Sequence, residues 1–198
     1  MILDFWFEFG STYSYPAAMQ IEALAAERGV GVRWRAFLLG PIFRDQGWSD
    51  SPFNLFPSKG RYMWRDVERI CAARRIPFRR PSEFPRNGLL ATRVACLFAD
   101  APWLPDFVRS VYSANFEQDL DISEPATVSR SLAATGEDPE ALLAQAQSAA
   151  SKDRLRLQTD EASRLGIFGA PSFVVGRELF WGSDRLDDAL SWAVDHAT

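Results

Sequence analysis

A chain of 198 residues, 47% hydrophobic and 24% charged, has an ordinary globular composition and enough length to bury a substantial core. The formal net charge of −4 provides no overall basic field, which argues against nucleic acid as the main partner. Asp4 and Glu8 interrupt the opening apolar stretch and no apolar run approaches the ~20 residues of a membrane span, so a cytoplasmic protein is expected, without membrane contact.

Residue types narrow the chemistry further. Cys71 and Cys96 form no C-x-x-C pair and fall inside helical patterns, where they read as small buried hydrophobes. The single histidine, His196, stands near the C terminus, which removes most metal sites and a Ser-His-Asp arrangement; no metal is expected. Arg74, Arg75, Arg79 and Arg80 read as a solvated basic face.

In chain order, Ile2 to Phe9 is rich in aromatic residues and predicts a core strand. A helix is expected from Pro16, with Ile21, Leu24 and Ala25 at helical spacing and Gly29 as its C-cap. Val30 to Leu38 alternates as a strand, completing a βαβ unit. Gly40 to Gly60, with Pro41, Pro52 and Pro57, predicts a long loop of the kind that often carries function. Helices follow over Arg61–Arg75, about Asn87–Ala99 and Pro105–Phe116. Shorter ones start at Ser123-Glu124-Pro125 and Asp138-Pro139-Glu140. After Lys152 a helix runs to Leu165, two short strands turn at Gly176-Arg177, and Ser183 or Asp184 caps a final helix. The predicted fold is α/β: a thioredoxin-like sheet, βαβ … αββα, interrupted by an all-helical insertion. Residues 1–40 and 153–198 form the thioredoxin-like domain and residues 41–152 the helical insertion domain.

The candidate chemistry starts at Ser11-Thr12-Tyr13-Ser14, where a strand stops at Gly10 and launches a helix. Free N–H groups and the helix dipole favour an anion there. In thioredoxin-like enzymes that anion is a cysteine thiolate. This turn has hydroxyls and no cysteine, so the thiolate is expected on a bound thiol such as glutathione. The second element is Gly169-Ala170-Pro171, where a cis Ala170–Pro171 bond would leave the backbone of Ala170 free to pair with an extended peptide. The third is Gly182-Ser183-Asp184, whose N–H groups and Asp184 carboxylate suit an amino-acid head group. Lys59 and Asn54 could take a further carboxylate. Taken singly, a loop proline, a plain helix cap and a surface lysine are the commoner uses of these residues; together they outline a site for a small zwitterionic thiol peptide.

Ser11-x-Tyr13-Ser14-Tyr15, Pro52-x-Asn54 with Lys59-x-x-Tyr62, and Phe84-Pro85-x-Asn87-x-x-Leu90 resemble the 2-hydroxychromene-2-carboxylate isomerases. So do Gly166-x-Phe168-Gly169-x-Pro171-x-Phe173 and Trp181-Gly182-x-Asp184-Arg185-Leu186. That family is related to kappa-class glutathione transferases and thioredoxin-like disulfide oxidoreductases. Its members often carry proline where this chain has Thr12. The resemblance implies a glutathione-dependent cis–trans isomerisation of a small aromatic enone acid in naphthalene-type catabolism, by thiolate addition, bond rotation and elimination. It implies Ser11 as the catalytic hydrogen-bond donor to sulfur, and Asn54 and Lys59 on the glycine carboxylate or the substrate acid. Ala170, beside Pro171, would pair with the cysteinyl backbone, and Ser183 and Asp184 would hold the γ-glutamyl end. Phe43, Trp48, Phe53 and Tyr62 would wall the substrate pocket, and a homodimer is the family expectation. Rival functions are glutathione conjugation, with no return of the thiolate, and a non-catalytic glutathione-binding module. A dithiol oxidoreductase fits least, because Cys71 and Cys96 lie outside the turn.

Overall fold

Strict alternation in the first strand sets the architecture. Leu3, Phe5, Phe7 and Phe9 point to one side and are fully buried, while Trp6 on the other side is equally buried. A strand buried on both faces must be covered by two helical layers. In the computed structural model, which describes residues 1–196, β1 (Ile2–Phe7) pairs in parallel with β2 (Gly31–Ala36) and antiparallel with β3 (Ser172–Val175). β4 (Glu178–Trp181) pairs antiparallel with β3, giving a four-stranded sheet of order β2-β1-β3-β4. The thioredoxin-like α/β sheet with its helical insertion is thus the observed fold.

Between β1 and β2 lie α1 (Ser14–Ala18) and α2 (Ile21–Glu27). The single helix expected here is broken at Met19-Gln20, where the Gln20 side-chain amide donates to the Pro16 carbonyl (2.5 Å), which is the acceptor that Gln20's own backbone N–H would use in a continuous helix. The long loop expected over residues 40–60 is largely helical: α3 (Leu39–Asp45), α4 (Pro52–Leu55) and the start of α5 (Pro57–Arg74). Pro52 and Pro57 are first-turn residues of helices rather than breakers, and Ser51 caps α4 through its hydroxyl, which accepts from Phe53 N–H at 3.3 Å. Gly60 lies inside α5, and a Cβ there would strike the Phe53 carbonyl, so this glycine lets α4 lie close against α5.

The remaining helices are α6 (Leu89–Leu97), α7 (Leu104–Phe116), α8 (Pro125–Ala133), α9 (Pro139–Ala146), α10 (Ala149–Arg164) and α11 (Leu186–Asp195). The α10 helix starts earlier than expected, because Ser148 accepts from Ser151 N–H (3.2 Å) and caps it. Neither Ser183 nor Asp184 caps α11 as expected; Ser183–Arg185 forms a 3-10 turn and Arg185 is the N-cap.

One apolar cluster runs from the Phe5 face of the sheet into the helical block. Phe7 lies 6.3 Å from Tyr112, and Phe9 lies 6.3 Å from Phe107, both on α7. Each such buried ring contributes about 2–3 kcal/mol. The Trp6 face is covered by Ile42 of α3, Ala162 of α10 and Ile167. Among the described residues, no helix is long and apolar enough to cross a membrane.

Candidate functional site

β1 ends at Phe7 and the chain turns at once, with Ser11 N–H donating to the Glu8 carbonyl (3.0 Å). The Glu8 carboxylate folds over this turn and accepts from Gly10 N–H at 3.0 Å. A Cβ on Gly10 would lie 3.1 Å from Glu8 Oε2 and 3.2 Å from the Arg86 carbonyl, so the close turn requires glycine.

Ser11 Oγ sits at the centre of the assembly. It accepts from Ser14 N–H (3.3 Å) and donates to the Ala170 carbonyl (2.9 Å), tying the turn to the loop before β3. The Ala170–Pro171 peptide is cis, as the sequence led us to expect, and Phe84–Pro85 is a second cis bond. The Pro171 carbonyl accepts from Gly182 N–H (2.9 Å), which brings in the third element. Gly182 has φ +109°, a conformation few residues other than glycine adopt, and Asp184 Oδ1 folds back against it. Ser183 is buried here and Asp184 is exposed, 3.2 Å from Arg185. Ser11, Ala170, Pro171 and Gly182-Ser183 are therefore joined by consecutive hydrogen bonds across three separate parts of the sequence.

Tyr13 links this group to α4 and α5. Its ring lies 6.2 Å from Phe53, and its hydroxyl donates to Asp66 (3.0 Å). Burial, the Asp66 carboxylate and, more weakly, Tyr62 and Asp184 hold the phenol well above its usual range. Asn54 and Lys59 occupy this flank. Asn54 Nδ2 donates to Asp50 (3.1 Å) and to the Phe84 carbonyl (3.3 Å), while Lys59 Nζ lies 4.6 Å from the centre of the Phe56 ring. Both are exposed, and neither contacts Ser11. Phe43 and Trp48 pack on each other (5.5 Å), Phe53 packs on Tyr13, and Tyr62 is exposed.

The helix beginning at this turn spans only Ser14–Ala18, so its dipole is weaker than the long helix expected from sequence would supply. The hydroxyls matter more. Thr12 Oγ1 is buried with no hydrogen-bond partner, which is unusual for a hydroxyl this deep, and the buried Ser14 Oγ has the Tyr112 hydroxyl as its neighbour. Among the described residues, no acceptor lies on the Ala170 N–H. This set of hydroxyl and backbone donors, gathered at one turn, has bonding capacity open to a polar or anionic ligand.

Sequence reasoning missed two contributors. Glu8 was visible only as an acid interrupting an aromatic strand, yet burial pushes its carboxyl up to about 7, against the lowering pull of the Gly10 and Ser11 N–H groups. Asp66, one helical turn after Tyr62, has no sequence signal linking it to Tyr13. The two thiols stay outside the site: burial pushes Cys71 and Cys96 up to about 11. Among the described residues, no group of His, Cys, Asp and Glu could hold a metal ion. A cleft of about 380 Å³ beside β2 and another of about 210 Å³ between α7 and α8 include none of the site residues.

Comparison with known proteins places this geometry in context. A family model described as a DSBA-like thioredoxin domain matches residues 2–191. The 2-hydroxychromene-2-carboxylate isomerase of Pseudomonas putida is 30% identical over 194 residues, covering 94% of this chain and 91% of that protein. Human glutathione S-transferase kappa 1 is 26% identical, covering 80% of this chain and 75% of that protein. A solved 2-hydroxychromene-2-carboxylate isomerase superposes with a TM-score of 0.85 at 27% identity, covering 97% of this chain and 94% of the other.

Proposed function

Because the chain belongs to the DSBA-like thioredoxin family and, within it, to the 2-hydroxychromene-2-carboxylate isomerases, we propose that it is a glutathione-dependent cis–trans isomerase of an aromatic enone acid such as 2-hydroxychromene-2-carboxylate. The observation that carries this is the hydrogen-bonded chain from Ser11 Oγ through Ala170 and Pro171 to Gly182, in a turn with hydroxyls and no thiol. Bound glutathione would supply a thiolate able to add to the conjugated double bond and leave again after rotation.

The protein's part is to hold and orient. Ser11 has one hydroxyl proton, now given to the Ala170 carbonyl; turning it toward sulfur would stabilise the anion by a charge-assisted hydrogen bond. The Ala170 backbone would pair with the cysteinyl residue, Pro171 shapes that edge, and Ser183 with Asp184 would receive the γ-glutamyl head group. Lys59 and Asn54 would hold the remaining carboxylate. Phe53 and Tyr62, near Tyr13, form the apolar approach for an aromatic substrate. Kappa-class relatives support a second reading, conjugation of an electrophile by the same activated sulfur.

Isothermal titration with reduced glutathione and with S-methylglutathione tests the cofactor, followed by a glutathione-dependent absorbance assay on an enone acid. Tighter binding of the free thiol, with catalytic interconversion of the two geometries, is expected. A stable adduct instead of interconversion would favour the transferase, and no binding at millimolar glutathione would sink both.

A further inference from the structure

Glu8 is the one carboxyl in the Ser11 turn, and the isomerase chemistry leaves it without a task. Its position is built rather than incidental. Gly10 N–H donates to it at 3.0 Å, the Ser11 N–H, bonded to the Glu8 main-chain carbonyl (3.0 Å), lends its dipole to the carboxylate, and the absence of a Cβ at Gly10 makes the room it occupies. From below, the Tyr112 hydroxyl of α7 donates to the Glu8 main-chain carbonyl (2.9 Å). Arg86 faces Gly10 with its carbonyl only, because its guanidinium is directed to Asn115, Leu120, Ser82 and Asp119. Tyr112 is thus the titratable group facing Glu8, its phenol pushed well above its usual range by burial and then by the Glu8 charge, against the opposing pull of the Ser14 hydroxyl. Among the described residues, no cation pairs with Glu8.

A carboxyl so placed touches the same residue that is to hold the sulfur. Ionised, it accepts from the Gly10 amide but adds a second negative charge beside a thiolate. Protonated, it removes that repulsion. We propose that Glu8 is the positioning carboxyl of this site, taking up a proton when a thiolate occupies the Ser11 turn and releasing it when the thiolate leaves. In net terms a sulfur–hydrogen bond breaks, an oxygen–hydrogen bond forms on Glu8, and sulfur keeps the electron pair. Burial, against the opposing pull of the Gly10 and Ser11 N–H groups, holds the carboxyl at about 7, so both of its states are accessible near neutrality. Linkage then makes the effect reciprocal: the thiolate favours the protonated acid, and the protonated acid favours the thiolate.

The inference rests on glutathione occupying the turn, and its test separates the two. Glutathione is titrated calorimetrically at pH 8 in buffers of differing ionisation enthalpy, which counts the protons released on binding. The wild type and Glu8→Gln, which keeps an acceptor for Gly10 N–H, are compared. Glu8→Gln should release more protons than the wild type, by up to about one per site, because only the wild type recaptures one. S-methylglutathione, with no thiolate to bring, should show no difference between the two proteins. If Glu8→Gln does not fold, infrared difference spectra of the wild type decide: a carboxylic-acid band gained with glutathione and absent with S-methylglutathione is expected. Equal proton release by the two proteins, or no such band, overturns the role of Glu8 while leaving glutathione binding in place. No binding of glutathione at all removes the proposed function and this inference with it.

Discussion

The Arg86 cluster and the Ser11 turn share Gly10 as a common wall, yet they spend their polar groups in opposite ways. Arg86 Nη1 donates to the Asn115 carbonyl (3.3 Å), Asn115 Oδ1 (3.2 Å) and the Leu120 carbonyl (2.9 Å). Its Nη2 donates to Ser82 Oγ (3.0 Å), the Asp119 carbonyl (3.3 Å) and Asp119 Oδ1 (2.5 Å); only Nε is without a partner. A buried charge so thoroughly satisfied fixes the loop before α6 against the end of α7. In the Ser11 turn, Thr12 keeps a buried hydroxyl unpartnered, and Glu8 keeps a carboxyl with no cation. Satisfied polar groups hold a fold in one shape. Unsatisfied ones leave bonding capacity that a ligand can take up.

The contrast can be broken most directly at Arg86. Arg86→Met should cost about 3–5 kcal/mol of stability in chemical denaturation, because it strands several buried acceptors and the Asp119 charge. Glutathione affinity of the folded fraction should be unchanged; loss of binding without loss of stability would place Arg86 in the site instead.

The pH profiles of the two regions should also oppose each other. Asp119, held near 2 chiefly by the Ser82 N–H and then by Arg86, favours folding above the ordinary carboxylate range, and its contribution is lost as pH falls from about 3.8 toward 2. Glu8 has the reverse sign. The folded protein keeps its proton to about 7 while the unfolded chain loses it near 4.5, so stability falls as pH rises between those values. The stability gap between Glu8→Gln and wild type should shift by about 2–3 kcal/mol in favour of the variant from pH 5 to pH 8, read from denaturant midpoints. A pH-independent gap would remove Glu8 from the titrating groups.

Ser11→Ala separates function from stability within the turn. Loss of the donor should lower glutathione-dependent turnover about 10²-fold or more, while losing the Ala170 hydrogen bond costs only about 1 kcal/mol. Equal turnover in the variant would take Ser11 out of the chemistry. The smallest effect is expected from Cys71→Ala with Cys96→Ala, which should leave glutathione dependence untouched. Both thiols are buried and held at about 11, so a change in that dependence would reopen the dithiol mechanism.

Much of this molecule was written locally. The alternation of Leu3, Phe5, Phe7 and Phe9, the Gly176-Arg177 turn and the proline after Gly169-Ala170 identify the sheet because strand periodicity and turn chemistry act over a few residues. Pro52 and Pro57 show where local reading fails. The same residue breaks a helix from inside and starts one at its first turn, and only the chain's path tells which. The Ser11 turn, Ala170-Pro171 and Gly182-Ser183-Asp184 could be named one by one from sequence.

Their union depended on tertiary structure. Ser11 meets Ala170 across 159 positions, Tyr13 meets Asp66 across 53, and no periodicity encodes either distance. The ionisation of Glu8 belongs to the same class. A carboxyl's charge is governed by the water and dipoles around it, and that environment exists only once β1, the Arg86 loop and α7 have closed over the turn. Sequence by itself determined which groups are present and which local shapes they favour. Folding decided which of those groups are left dry, close together and unpaired.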